Sequence, residues 1–137
     1  MFDWFAFQTG ATAFLIAFAA AIVFFSAFKF IYQMVTPYNE RDLIRQGNTA
    51  AAIALGGALI GYVLPLASAL SQTVSLAEFA AWALLAGVIQ IVAFIVVSRV
   101  LYKALASRIE AGETAAGVYL ASVSIGVGLL NAACMTA

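Results

Sequence analysis

Four stretches of this chain are almost purely apolar, each about as long as the 20 residues a helix needs to cross a bilayer, and nothing else in the sequence constrains the fold as much. They run from about Ala11 to Phe30, Ala50 to Leu70, Phe79 to Arg99 and Ala115 to Met135. Lipid offers no partner for backbone N–H and C=O groups, so each stretch must satisfy them internally, as a helix does. The expected class is therefore an all-α membrane protein: one domain of four transmembrane helices over residues 1–137. The composition agrees. The chain is 66% hydrophobic and 9% charged, with a mean hydropathy of +1.08. Soluble domains are about half apolar and about a quarter charged, and could not hide this much apolar surface.

The opening MFDWF carries Asp3 and no basic residue, and the apolar run after it exceeds the core of a signal peptide. The first stretch is thus expected to be a retained helix, with no room for a soluble domain at either terminus. All six basic residues fall at one side of a four-span path: Lys29, Arg41 and Arg45 at the first connection, and Arg99, Lys103 and Arg108 at the third. Asp3 and Glu78 stand at the other side. The positive-inside rule then places the two polar connections in the cytosol and both termini outside it.

Local chemistry marks the breaks. Ser75-Leu76-Ala77-Glu78 has the form of a capping box at the start of the third span. Thr36-Pro37 opens a new element, because proline suits a first helical turn and disfavours helix before it. Residues 37–46 are expected to form a short interfacial helix with Leu43 and Ile44 towards lipid. Gly47 would end it and Asn48 would cap the second span.

The segment GNTAAAIALGGALIG, beginning at Gly47, returns as GETAAGVYLASVSIG, beginning at Gly112. Aligned without gaps, Gly47–Ala69 and Gly112–Cys134 share nine of 23 positions. Extending the offset backwards overlays the first span on the third, so the chain reads as two parallel-repeat helical hairpins. Parallel repeats occur in transporters, but the plain reading is duplication of a packing unit. Small residues let membrane helices approach closely. Gly57 and Gly61 in the second span align with Ser122 and Gly126 in the fourth. Gly117, Ala121, Ser124, Gly128 and Asn131 add a small or polar stripe. The second and fourth spans are expected to pack on each other, or on other copies, through these faces.

Few residues offer chemistry. Lys29 shares a helix face with Ser26, Gln33 and Thr36. It reads either as a snorkelling interfacial lysine or as a cation lining a vestibule for an anionic group. Gln90, mid-span among Val, Ile and Phe, must find a partner in the bundle; it reads as an interhelical bond or a permeation residue. Ser124 and Asn131 are further intramembrane polar candidates. The loop TPYNERDLIRQGN is the densest polar segment. Glu40, Arg41, Asp42 and Arg45 are expected to form exposed ion pairs of little energetic weight. With Thr36, Pro37 and Asn48, and with Lys103 and Arg108 of the other polar connection, they make a candidate cytosolic docking surface, alternatively a plain connector. The sequence has no His, paired intramembrane carboxylates or phosphate-cradling loop, so no catalytic set, cofactor or metal is expected. The single Cys134 excludes an internal disulfide and is expected as a small apolar filler. Zero net charge leaves no nucleic-acid footprint.

The combination VTPYNERDLIRQGNTAAAIALGGALIGYVLPLASAL, mid-span Gln90 and AAGVYLASVSIGVGLLNAACM resembles the YjfL-like bacterial inner-membrane proteins, the domain of unknown function 350. The resemblance covers nearly the whole chain. Its most specific parts are Thr36-Pro37, the Gly47-Asn48 turn and Ala115-Ala116-Gly117. Asn39 and Glu113 depart from the family's usual residues. The resemblance implies a small multi-span protein of the bacterial plasma membrane and brings no established activity. It also implies association with envelope-stress proteins of the phage-shock type and with ATP-grasp ligases. The functional expectation is a non-enzymatic, oligomeric scaffold in the lipid bilayer that recruits a cytosolic envelope-stress partner. The alternative is a subunit of a small channel or transporter lined by Gln90, Ser124 and Asn131.

Overall fold

The structure, a computed structural model, describes residues 1–136, and every regular element in it is helical. The order is α1 (Trp4–Val35), α2 (Glu40–Arg45), α3 (Thr49–Gln72), α4 (Leu76–Val96), a π-helical turn (Val97–Leu101), α5 (Leu105–Glu110) and α6 (Thr114–Cys134). Helices α1, α3 and α6, and α4 continued through its π turn, are each long and apolar enough to cross a membrane. α1 is longer than expected. It starts seven residues earlier, where the Asp3 carboxylate accepts from Ala6 N, and it runs on to Val35. Its 32 residues amount to about 48 Å, more than a perpendicular crossing requires.

The ends of α1 and α4 and the starts of α3 and α6 meet at one end of the bundle, called here the basic end. Two matching turns are built there. Gly47 takes φ +88° and Gly112 φ +86°, conformations that only glycine adopts without strain. At the first turn Gly47 N donates to Ile44 O and Asn48 N to Leu43 O. At the second, Gly112 N donates to Ile109 O and Glu113 N to Arg108 O. Both are Schellman closures, which satisfy the last carbonyls of a short helix. Asn48 then caps α3 by accepting from Ala51 N, while its amide donates to Ile109 O at 3.0 Å and Glu110 O at 3.2 Å. One side chain therefore starts a span and fastens the two polar connections together. The Leu43 and Ile44 side chains are half-buried against the core instead of facing lipid, because α2 folds back on the bundle.

The tightest pair of helices is α3 with α6. They run parallel, and their backbones touch at successive depths. A methyl group added at Gly57 would overlap Ala121, one at Gly117 would overlap the Ala50 backbone, and one at Gly61 would overlap Ser124 O. One at Gly128 would overlap Gly61 O. Pro65 explains part of this last contact. It has no N–H for the carbonyl four residues back, so Gly61 O lacks its helical partner and Gly128 approaches it without a side chain. The contact face on α6 is the stripe Gly117, Ala121, Ser124 and Gly128. The residues that align with Gly57 and Gly61 lie off it: Ser122 is exposed and donates to its own helix at Val118 O, and Gly126 has open space around it. The reason is angular. Ser122 and Gly126 follow their neighbours Ala121 and Ser124 around the helix by one and two residues, about 100° each.

α1 is held differently, by aromatic rings. Phe28 stacks on Tyr62 at 4.4 Å between centroids, Phe24 meets Phe79 edge-on at 5.6 Å, and Tyr32 leans on Phe94 at 4.8 Å. The half of α1 from Trp4 to Phe18 keeps large aromatic and aliphatic side chains on the surface. Cys134, at the end of α6, is exposed and so fills no core position.

The contact geometry makes a sharp prediction. Gly61→Ala and Gly128→Ala should each destabilise the protein by about 1–3 kcal/mol, the usual cost of overpacking. Gly126→Ala should stay within about 0.5 kcal/mol of wild type. Thermal unfolding in detergent, with all three variants in one lipid-to-detergent ratio, measures the difference.

Candidate functional site

Inside the bundle the polar side chains are consumed by neighbouring helices. Gln90, 4% exposed, donates to Ser124 O at 3.2 Å. Asn131 donates to Ala86 O at 3.2 Å and lies 3.5 Å from Gln90 Oε1. The Tyr62 hydroxyl, equally deep in the protein, donates to Ala83 O at 2.9 Å. These bonds join α4 to α3 and α6, where an unpartnered amide would be costly. Ser124 is buried, and its carbonyl is the acceptor in this network. Gln90 and Ser124 thus face neighbouring helices in the single chain; Asn131 borders an apolar groove of about 330 Å³ between α4 and α6.

The basic end is different. Arg99 donates to Val35 O at 3.0 Å and so covers an orphan carbonyl at the end of α1. Arg108 forms a two-pronged ion pair with Glu113, both contacts at 3.1 Å, hydrogen-bonds the Tyr102 hydroxyl and lies over the Tyr102 ring. This is the one salt bridge among the described residues. Lys29, Arg41, Asp42 and Arg45 are exposed, and Lys103 also faces outwards. Asn39 starts α2 by accepting from Asp42 N.

Glu40 departs from the expectation of an exposed ion pair. It is 2% exposed, and neither carboxylate oxygen has a hydrogen-bond partner among the described residues. Two phenols accompany it: Tyr32, 1% exposed, and Tyr38, 6% exposed, each with an unpartnered hydroxyl. The charge of Glu40 is felt at both. The Thr36 hydroxyl is close enough to favour the ionised carboxyl, and its single proton also has Gln33 O at 3.0 Å and Tyr38 O at 3.3 Å as alternative acceptors. Thr36 is itself buried, unlike a docking residue, because it turns the chain at the end of α1. Beside this group a polar cleft of about 410 Å³ is lined by Gln33, Thr36, Pro37, Tyr38, Asn39, Glu40 and Arg41.

Burial dominates the electrostatics here. It pushes the Glu40 carboxyl up to about 8 from an ordinary 4.5, against the smaller opposing influences of Thr36 and Lys29. Burial likewise raises the Tyr38 hydroxyl, with Glu40 and Glu110 adding to the effect. The sequence concealed this cluster. Glu40 sits among Arg41, Asp42 and Arg45, a pattern that reads as solvated charge. The one available signal was the spacing Phe28, Tyr32, Thr36, which continues the buried face of α1 to its end.

The sign of the pH effect follows. Between about 4.5 and 8 the folded protein keeps a proton on Glu40 that the unfolded chain has released. Stability then falls as pH rises, by up to about 1.4 kcal/mol per unit, until the folded group ionises. In buffers whose only cation is bulky and organic, wild type should lose thermal stability steadily across that window. Glu40→Gln should flatten the profile and melt higher than wild type above pH about 8. Equal slopes in the two proteins would show that Glu40 does not set the dependence.

A family model described as Domain of Unknown Function (DUF350) matches residues 6–135. Two relatives, both described as UPF0719 inner membrane protein YjfL, come from Escherichia coli strain K12 and Escherichia coli O157:H7. Each is 45% identical over 109 residues, which cover 80% of this chain and 82% of the relative. No solved structure matches the chain.

Proposed function

The chain belongs to the DUF350 family of inner-membrane proteins, and from that premise we propose that it is a non-enzymatic membrane scaffold whose working surface is the basic end. That surface comprises the exposed Arg41, Asp42 and Arg45 of α2 with Lys103, and it would recruit a soluble partner from the cytosol.

One observation carries the reading: the polar groups in mid-bundle are spent on helix-to-helix bonds, whereas the free charges stand together on the two polar connections. Of the residues a pathway would need, the Gln90 and Asn131 amides are engaged with backbone carbonyls or with each other, and Ser124 contributes its main-chain carbonyl as an acceptor. The connections are also well built for presentation. Asn48 locks one to the other, and Arg108–Glu113 stiffens the second, so the exposed side chains project from an ordered platform. Pre-ordering lowers the entropic cost of docking. Orientation belongs to the same proposal: the basic end faces the cytosol, as the excess of Lys and Arg favours.

Reversing Arg41 and Arg45 to Glu should abolish co-purification of a specific soluble protein from native membranes, with expression and melting unchanged. Gln90→Leu should keep that partner, at a stability cost of about 0.6–2 kcal/mol for the lost interhelical bonds. The scaffold reading fails if proteoliposomes of the pure protein pass ions or solutes in a manner that Gln90→Leu alters. Reporter fusions after Gln46 and at the C-terminus test orientation; cytosolic activity only at the C-terminus would reverse it.

A further inference from the structure

We infer that the basic end holds a binding site for one inorganic monovalent cation, formed by the Glu40 carboxylate and the phenolic oxygens of Tyr32 and Tyr38. Four buried oxygen atoms on three side chains lack a hydrogen-bond partner among the described residues, and all belong to this cluster. Buried polar atoms are almost always paired, so a concentration of exceptions calls for an explanation. An unpaired buried carboxylate is the most expensive of them, since desolvation of a charge is offset only by a counter-charge close by.

The donor set fixes the kind of ion. It is made of oxygen alone, carboxylate and phenol, without imidazole or thiolate, which suits hard cations over transition metals. A single carboxylate neutralises a single positive charge. A divalent ion would leave a net charge buried among Phe28, Phe94 and the rings of the two tyrosines, and Lys29 nearby disfavours it further. The polar cleft touching Glu40 and Tyr38 gives the ion a route and a stock of carbonyl and amide oxygens with which to shed its water.

Charged neighbours come from α1, α2, α5 and the π turn, whose Arg99 donates to Val35 O beside Thr36 and opposes the ion. Lys29 on α1 opposes the cation, Glu110 of α5 bears on Tyr38 and favours it, and Arg41 lies on the cleft wall. Lys29 is exposed, so its ammonium can remain outside. The ion's ligands Tyr32, Tyr38 and Glu40 are buried and take no part in the docking surface proposed above, which shares only Arg41 with the cleft wall.

The experiment follows thermal unfolding of the purified protein at about pH 9, where Glu40 is ionised. Sodium, potassium and N-methyl-D-glucamine chlorides are compared at one ionic strength. Sodium or potassium should raise the melting temperature by several degrees in a saturable way, and the two arms identify the preferred ion. Radioactive sodium or rubidium should bind the same preparation at one ion per chain. Glu40→Gln should remove both the shift and the binding while melting normally. Tyr32→Phe and Tyr38→Phe should each move the midpoint of the titration several-fold towards higher salt. If wild type melts alike in all three chlorides, or Glu40→Gln keeps the response, the site does not exist.

Discussion

The direct backbone contact between α3 and α6 is the constraint on which the other features depend. Lipid does not drive helices together as water does, so membrane helices associate through close packing and polar bonds. Gly57, Gly61, Gly117 and Gly128 remove the side chains that would hold the two backbones apart. Once the pair is closed, Ser124 O is presented to Gln90 and Asn131 reaches Ala86, so α4 is drawn onto the same seam. The same closure turns Tyr62 towards α4, where its hydroxyl bonds Ala83 O and its ring becomes the platform for Phe28 of α1. Each later contact uses a position that the first one fixes.

The middle of the bundle and its basic end treat polarity in opposite ways. In mid-bundle the Gln90 and Asn131 amides and the Tyr62 hydroxyl each have a backbone carbonyl to bond. At the basic end the backbone is equally well satisfied, through two glycine turns, Asn48 and Arg99, yet three buried side chains are left with unpartnered oxygens. The fold therefore concentrates its uncompensated electrostatics at the place where polar connections and exposed charges also gather. That coincidence is why both proposals, docking at the surface and ion binding beneath it, are placed at the basic end.

Much of the architecture was legible in the residues. Apolar length announced four crossings, and Ser75, Asn48 and Gly47 announced where helices stop and start, because capping is local chemistry between residues two to five apart. Local structure matches at the same 65-residue offset: α2 and α5 end on similar glycine turns, and α3 and α6 both start on threonine. The site was legible only in part. Gln90 showed itself by being polar where lipid is expected. Glu40 did not, since nothing in its neighbours distinguishes an exposed carboxylate from one folded inwards.

The sequence by itself thus determined what lies within the membrane and where each helix begins, because hydration and backbone capping act on single residues and their near neighbours. Only the tertiary structure decided which face of α6 meets α3, where the repeat's own Ser122 and Gly126 turn away from the seam. It alone decided that Gln90 finds a helix instead of a cavity, and that α2 folds back far enough to bury Glu40 with Tyr32 and Tyr38. Those outcomes depend on helix rotation and on contacts between residues far apart in the chain, and a rotation of one residue, about 100°, is enough to exchange an exposed position for a buried one.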